Sequence, residues 1–91
     1  AANLMVEKAA QVYEGGARAG SEANMAKYLA SEASWQAADM CMQTHGGFAF
    51  AEEYDVERKF RETRLYRIAP VSNNLILSFI GEHILGMPKS Y

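Results

Sequence analysis

The sequence contains one cysteine and two prolines in 91 residues, and no uninterrupted apolar run approaches the length of a membrane span. The single thiol, Cys41, excludes an internal disulfide and fits a small core residue in a reducing compartment. A helix needs about 20 apolar residues to cross a bilayer, and the first residues lack the basic and apolar blocks of a secretory signal. We therefore expect no membrane association, and a location in the cytoplasm, or in the mitochondrial matrix in a eukaryote.

Neither sign of charge is in large excess, because the sequence has nine basic and eleven acidic residues and its formal net charge is -2. No basic run is longer than two residues, whereas nucleic-acid and anionic-membrane binders carry a basic patch. We expect no nucleic-acid partner. His45 and His83 have no partner at the spacing of metal ligands, so no metal site is predicted either.

Helical periodicity dominates what is present, and the length suits a single domain over residues 1–91. Residues 2–14 place Met5, Ala9 and Val12 on one face, which predicts a first helix that ends at Gly15-Gly16. Ser21 is a suitable N-cap for a second helix that runs without proline or glycine from Glu22 to His45.

The faces of the second helix predict that it packs in the middle of a bundle. One face is made of small residues and would let a neighbouring backbone approach closely: Ala26, Ala30, Ala33, Ala37, Met40 and Cys41. Another face carries Tyr28, Trp35 and Met42. A polar line between them faces either solvent or a ligand: Glu32, Gln36, Asp39 and Gln43.

The second half of the chain predicts two more helices. Asp55 could cap a short one that ends at Arg61, and Pro70 suits the first turn of the last one. The last helix is apolar almost all round and should be buried, inside the domain or at a subunit contact. The predicted fold is all-α, an antiparallel helical bundle with three long helices and one short one, and its open faces predict an oligomer.

The stretch from Gln43 to Phe50 has the most chemical character. Gly46-Gly47 allows close approach of the backbone to a bulky ligand, although a glycine pair also simply ends a helix. Gln43 could bind a ligand or be solvated. A hydrolytic triad has no supporting nucleophile-elbow pattern. The basic residues between 58 and 67 invite a phosphate-binding interpretation, but the interleaved acidic residues favour a salt-bridged face.

The order Gln43-Thr44-His45-Gly46-Gly47-Phe48-Ala49-Phe50, followed by Glu53 to Arg58 and Arg61 to Arg64, resembles the C-terminal helical domain of the acyl-CoA dehydrogenase family. The resemblance extends over essentially all 91 residues. It implies that the chain is about the last quarter of such an enzyme and lacks the N-terminal helical and middle β domains.

The resemblance also implies a homotetrameric flavoenzyme that oxidises an acyl-CoA to its trans-2-enoyl form and is reoxidised by an electron-transferring flavoprotein. The cofactor implied is FAD. In the family, one segment contacts the FAD of a neighbouring subunit, and it corresponds here to Gln43, Thr44, His45, Gly46 and Gly47. A second contact corresponds to the start of the last helix, at Ser72, Asn73 and Asn74.

Pro70 departs from the family pattern, because many members have their catalytic glutamate at this position. Proline cannot accept a proton, so we expect no catalytic residue within this chain. Either the base comes from an earlier helix of the same domain, or the protein keeps the fold with other chemistry. We expect the 91 residues alone to be inactive. The rival hypotheses are a non-enzymatic helical interaction module and, less favoured by the acidic balance, a helix-turn-helix DNA reader.

Overall fold

The computed structural model describes residues 1–89, which form four α-helices and contain no β-strand. The helices are α1 (Ala2–Glu14), α2 (Gly20–His45), α3 (Val56–Leu65) and α4 (Asn73–His83). Two 3₁₀ turns, Gly46–Phe50 and Glu52–Tyr54, lie between α2 and α3. The all-α prediction is therefore confirmed. None of the helices in the described residues is both long and apolar enough to cross a membrane.

Helix α2 is the central element, and α1, α3, α4 and the first 3₁₀ turn all contact it. Its 26 residues make a rod of about 39 Å, uninterrupted because no helix breaker follows its first residue. A five-residue connection turns the chain back from α1 along α2. Gly16 lies at a φ of 84° in this connection, a conformation that glycine adopts without steric cost.

The predicted N-cap of α2 is wrong by two positions. The helix begins at Gly20, and Ala19 precedes it with no side-chain cap. The Ala19 carbonyl accepts the hydrogen bond of the Ala23 N–H at 2.8 Å. Ser21 therefore lies inside the first turn with helical backbone angles, where its hydroxyl cannot act as a cap.

Helix α3 extends four residues beyond the predicted end at Arg61. Trp35 of α2 packs against the predicted part of the helix, where its ring centroid lies 4.5 Å from that of Phe60, and it also contacts the extra turn. The Arg64 guanidinium lies 5.5 Å above the same indole ring. Asp55 precedes the helix as predicted but does not cap it, because at a φ of 58° its carboxylate accepts from the Arg58 side chain.

Helix α4 is covered on one side only, so the first predicted alternative, burial inside the domain, is wrong, while burial at a subunit contact stays a prediction. Ile76 is 1% exposed, whereas Leu75 and Leu77 are 54% and 47% exposed. The helices form a thin slab of 46 × 34 × 19 Å, with a radius of gyration of 16.2 Å against about 12 Å for a compact chain of this length. In such a slab a helix that is apolar all round keeps one face open.

The hydrophobic core is small because the slab of helices is thin. Four hydrophobic side chains are buried within residues 1–89: Ala26, Ala49, Val56 and Ile76. The small-residue face predicted for α2 is largely exposed beyond Ala26, and Cys41 is exposed rather than a core residue. Tertiary packing uses the side of α2 that carries Ser31 and Trp35, which contacts α3 and α4.

Candidate functional site

The last turn of α2 presents Gln43, Thr44 and His45 at the surface. The Thr44 hydroxyl donates to the Met40 carbonyl at 2.8 Å, and His45 Nδ1 lies 3.0 Å from the Cys41 carbonyl. Because a carbonyl can only accept, a neutral His45 carries its proton on Nδ1 and keeps Nε2 as an acceptor. The Gln43 side chain makes no hydrogen bond within residues 1–89. This turn therefore offers an amide, a hydroxyl oxygen and an imidazole nitrogen to a ligand.

Gly46 is required by the backbone. It ends α2 with φ 59° and ψ -136°, and its N–H group donates to the carbonyls of Met42 and Gln43. This combination of angles is nearly restricted to glycine, so any side chain here would strain the turn. Gly46 is thus explained by the fold alone.

Gly47 has no such explanation. Its φ lies outside the left-handed region, and a Cβ atom added to it would meet no heavy atom within 4 Å. The side chains beside it, Phe48 and Phe50, are 66% and 75% exposed. The structure consequently leaves an open surface at Gly47, near two exposed rings in the sequence, where a ligand could approach the backbone.

Ala49 and Tyr54, which sequence reasoning did not single out, hold this surface in place. Ala49 is fully buried and anchors the first 3₁₀ turn. The Tyr54 ring packs 5.6 Å from the Phe48 ring and 6.1 Å from the His45 ring. The only signal available in the sequence is the small residue between two phenylalanines, which suits a turn whose middle side chain points inward.

The second predicted cofactor segment lies at the start of α4. The Ser72 hydroxyl caps the helix by accepting from the Leu75 N–H at 3.2 Å. The Asn73 N–H donates to the Arg67 carbonyl at 3.0 Å, and the Asn73 side chain is 5% exposed and bonded to α2. Within residues 1–89, Asn74 has the one first-turn N–H without a hydrogen bond. Asn74 is therefore the most available of the three residues, and the Asn73 side chain the least.

The structure does not bring the two predicted segments together. Asn73 contacts α2 at Ser31, twelve residues before Gln43, which corresponds to about 18 Å along the helix axis. The two segments would have to contact distant parts of one extended ligand, or two different ligand molecules.

A mainly apolar hollow of about 350 Å³ opens beside Pro70, between α2 and the segment that follows α3. Its lining residues include Lys27, Ala30, Ser31, Tyr66, Ala69 and Pro70. The Ala69–Pro70 peptide is cis, and α4 begins three residues after Pro70 rather than at it. No carboxylate in the described part of the chain lines this hollow, so it contains no general base of that type.

Lys27 lies at the edge of the hollow, where its ammonium group donates to the Val71 carbonyl at 2.7 Å and to Asn73 Oδ1 at 2.9 Å. Burial lowers the pKa of Lys27, and the nearby carboxylate of Glu32 opposes this shift.

The basic residues of α3 form a salt-bridged face, as the interleaved charges predicted. Arg58 pairs with Asp55 and Glu62, and Arg61 pairs with Glu57 at 2.8 Å. Further along, Arg67 pairs with Glu32 of α2. Most of these guanidinium groups already have a carboxylate partner, which argues against a phosphate site. In residues 1–89 no group of three or more His, Cys, Asp or Glu side chains is placed to hold a metal ion.

The Arg58 pairs should make folding depend on acidity. A hydrogen bond from Arg58 lowers the pKa of Asp55 and that of Glu62. The stabilisation that these two pairs give the folded state is therefore present above the ordinary carboxylate pKa of about 4 and is lost as pH falls. Replacing Arg58 with glutamine should shrink the fall in melting temperature between neutral and acidic pH by roughly 1 to 4 °C, since both pairs are exposed. Arg18→Gln, the same charge change at an exposed site, is the control. Equal pH dependence in the two variants would contradict the assignment.

Comparison with known proteins extends over nearly the whole chain. The family model for the acyl-CoA dehydrogenase C-terminal domain matches residues 1–85. The acyl-CoA dehydrogenase FadE12 of Mycobacterium tuberculosis is 45% identical over 92 aligned positions, 99% of this chain. The mitochondrial short/branched chain specific acyl-CoA dehydrogenase of Rattus norvegicus is 36% identical over 92% of the chain. Subunit CarC of the caffeyl-CoA reductase-Etf complex of Acetobacterium woodii is 40% identical over 75% of it.

The chain spans 24%, 19% and 18% of these three relatives, respectively. No solved structure gives a significant match. The family model matches residues 1–85, and these three curated relatives match 75% to 99% of the chain. The all-helical architecture agrees with both findings. The chain belongs to the acyl-CoA dehydrogenase family and corresponds to its C-terminal helical domain.

Proposed function

We propose that residues 1–91 are the C-terminal bundle domain of a flavin-dependent acyl-CoA dehydrogenase, which oxidises an acyl-CoA to a trans-2-enoyl-CoA. Because the chain spans about a quarter of the relatives it matches, the activity is proposed for the full-length protein. The family membership supports an FAD cofactor. The open surface around Gly47 supports a contact between this chain and FAD at that position.

Gly47 is the observation that carries this proposal. The fold requires glycine at Gly46 but not at Gly47, where a Cβ would stand in open space. A residue without a side chain, next to exposed polar groups and aromatic rings, fits the close approach of a large planar or phosphate-bearing cofactor.

The residues present fit a dinucleotide, and they divide its recognition between side chains and backbone. Gln43 has a free amide, and His45 Nε2 can accept a hydrogen bond from a ribose or amino group. Thr44 contributes a hydroxyl oxygen, and Gly47 allows contact with the backbone. When bound, FAD supplies the hydride acceptor of the reaction, and these residues serve to hold it rather than to transfer protons.

The separation of the two candidate segments supports a contact across a subunit boundary. Ser72, Asn73 and Asn74 lie about 18 Å along α2 from the Gln43–Gly47 segment. In a homotetramer the segment at the end of α2 would contact the cofactor of a neighbouring subunit, while the start of α4 would contact that of its own. The cofactor site would then be complete only in the assembled protein.

We assign the abstraction of the substrate proton to a residue outside this chain. Pro70 stands where many family members carry the catalytic glutamate, and no carboxylate of residues 1–89 lines the adjoining hollow. We place the base on an earlier helix of the full-length protein. The hollow itself, with its apolar walls, suits part of an acyl group.

The test is spectroscopic. The purified full-length protein should carry bound flavin, and its visible absorption should bleach when a suitable acyl-CoA is added without oxygen. The electron acceptor proposed is an electron-transferring flavoprotein, since the CarC relative belongs to a complex named with Etf. The 91-residue chain alone should be inactive and retain little or no flavin. Stoichiometric flavin in that chain, or none in the full-length protein, would contradict the proposal.

The exposed apolar faces should also make the 91-residue chain self-associate. Leu75 and Leu77 of α4, and Leu4 and Val6 of α1, are between 47% and 71% exposed. Large apolar side chains left exposed in this number favour association with another protein surface. Light scattering at high protein concentration should detect dimers or larger species, and a variant with glutamate at positions 75 and 77 should associate less. A strictly monomeric wild-type chain would count against this prediction.

A second candidate is the reverse reaction, reduction of an enoyl-CoA. One specific observation favours it, namely that the CarC relative is a subunit of a caffeyl-CoA reductase complex. Comparing acyl-CoA oxidation with an electron-accepting dye and enoyl-CoA reduction with a reduced dye would separate the two directions.

A further inference from the structure

A network of polar side chains joins α2 to the connection between α3 and α4. Lys27 donates from Nζ to the Val71 carbonyl at 2.7 Å and to Asn73 Oδ1 at 2.9 Å. One turn further along α2, the Ser31 hydroxyl lies 2.9 Å from Asn73 Nδ2. The spacing of four residues puts Lys27 and Ser31 on the same face of α2, turned toward this connection.

Opposite charges on its two sides fix the orientation of the Asn73 amide. Its Oδ1 faces the Lys27 ammonium, and its Nδ2 donates to Glu32 Oε1 at 2.8 Å. Rotating the amide by half a turn would place the NH₂ group against the ammonium and the oxygen against the carboxylate. Glu32 is held in turn by Arg67, whose Nε donates to it at 2.8 Å.

Lys27 has a particular place in this network because it reaches the backbone of the connection. The Asn73 N–H closes the base of the connection on the Arg67 carbonyl at 3.0 Å. Within residues 1–89, the hydrogen bond from Lys27 to the Val71 carbonyl is the one that joins residues 70–72 to α2, whereas Ser72 is bonded to α4. The position of the backbone at Val71 relative to α2 therefore depends on this ammonium group.

The same segment forms a wall of the apolar hollow, since Ala69 and Pro70 line it from one side and Lys27 and Ala30 from the other. A shift of the Val71 carbonyl would move Pro70 and change the width of the hollow. It would also move Ser72, which caps α4.

We propose that Lys27 is a positioning residue, which holds the segment from Ala69 to Ser72 through the Val71 carbonyl and so sets the wall of the hollow for the acyl group of the substrate. The role in substrate binding rests on the proposed function. The role in holding the segment rests on the hydrogen bonds alone.

Hydrogen exchange in the full-length protein tests the first role. Lys27→Met should raise amide exchange in residues 66–76 roughly tenfold and leave exchange in α1 unchanged, because the global stability is carried elsewhere. Lys8→Met, at an exposed site on α1, is the matched control. Ser31→Ala removes the hydrogen bonds between Ser31 and Asn73 but keeps the bond from Lys27 to Val71, and it should change exchange in residues 69–72 much less. A uniform rise along the chain, or the same local rise in Ser31→Ala, would overturn the positioning role.

Steady-state kinetics test the second role. Lys27→Met should raise KM for the acyl-CoA several-fold while kcat per bound flavin changes by less than about twofold, since a merely destabilised enzyme loses active sites without changing KM. An unchanged KM would overturn the role in substrate binding. If Lys27→Met does not fold, Lys27→Gln gives the same test. The glutamine side chain is about one bond shorter than that of lysine, so its amide stops short of the Val71 carbonyl and Asn73 Oδ1. If no acyl-CoA reduces the wild-type protein, the proposed function fails, while the exchange measurement still decides the positioning role.

Discussion

Replacing Gly47 with tryptophan should lower the flavin content of the full-length protein roughly tenfold or more, a loss of about 1.4 kcal/mol in binding free energy. Helix content should stay the same, because the position of the added side chain is free of heavy atoms within 4 Å of the Cβ. The indole ring would occupy the space that the cofactor needs beside the backbone. The measurement is flavin absorbance per protein, together with circular dichroism.

Two other glycines make this experiment specific. Gly20→Trp is the matched control, because a Cβ at Gly20 also meets no heavy atom within 4 Å and Gly20 begins α2 at the opposite end from the candidate site. It should retain flavin. Gly46→Ala should instead disturb the turn itself, because Gly46 has a φ of 59°. Full flavin content in Gly47→Trp would remove Gly47 from the cofactor site.

Replacing Ile76 with alanine should lower the free energy of unfolding of the 91-residue chain by about 2–5 kcal/mol. Ile76 is the one large side chain in residues 1–89 that is almost fully buried, at 1% exposed, and it joins α4 to the rest of the slab. Small domains are stable by only about 5–15 kcal/mol, so much of the margin would be lost. Urea unfolding followed by circular dichroism at low protein concentration gives the difference.

Leu75→Ala on the neighbouring position is the control, since Leu75 is 54% exposed in this chain. Its effect there should stay within about 0.5 kcal/mol. In the full-length protein the same substitution should be more destabilising if another segment or subunit covers the outer face of α4. Equal effects of Ile76→Ala and Leu75→Ala in the 91-residue chain would show that α4 does not dock as described.

The long elements were the easiest to predict, and their ends were the hardest. The uninterrupted run to His45 and the glycine pair after it define α2, because only proline and glycine would have broken it. The start of α2 at Gly20 and the end of α3 at Leu65 were missed. In the first case a backbone carbonyl, rather than the Ser21 hydroxyl, supports the first turn. In the second, the Arg64 guanidinium packs over the Trp35 ring of α2 and supports a turn that local sequence does not specify.

The candidate site was also predictable only in part from the sequence. The residue types and order from Gln43 to Phe50 identified the segment, but its two glycines look equivalent in the sequence. Only the backbone angles separate Gly46, which the turn requires, from Gly47, which it does not. The family resemblance predicted a cofactor contact at Asn73, which stays a prediction, and only the structure shows that the network with Lys27 turns the Asn73 side chain into the protein.

By itself the sequence determined the all-α class, the central helix α2, the family and the absence of a base at Pro70. These follow from hydrophobic periodicity, from helix breakers and from residue chemistry, which are local properties. The tertiary structure decided which face of each helix is covered, which glycine is free and which groups meet across more than forty residues, as Lys27 meets Val71 and Asn73. These depend on how helices pack, because an apolar face is buried only where another element lies against it.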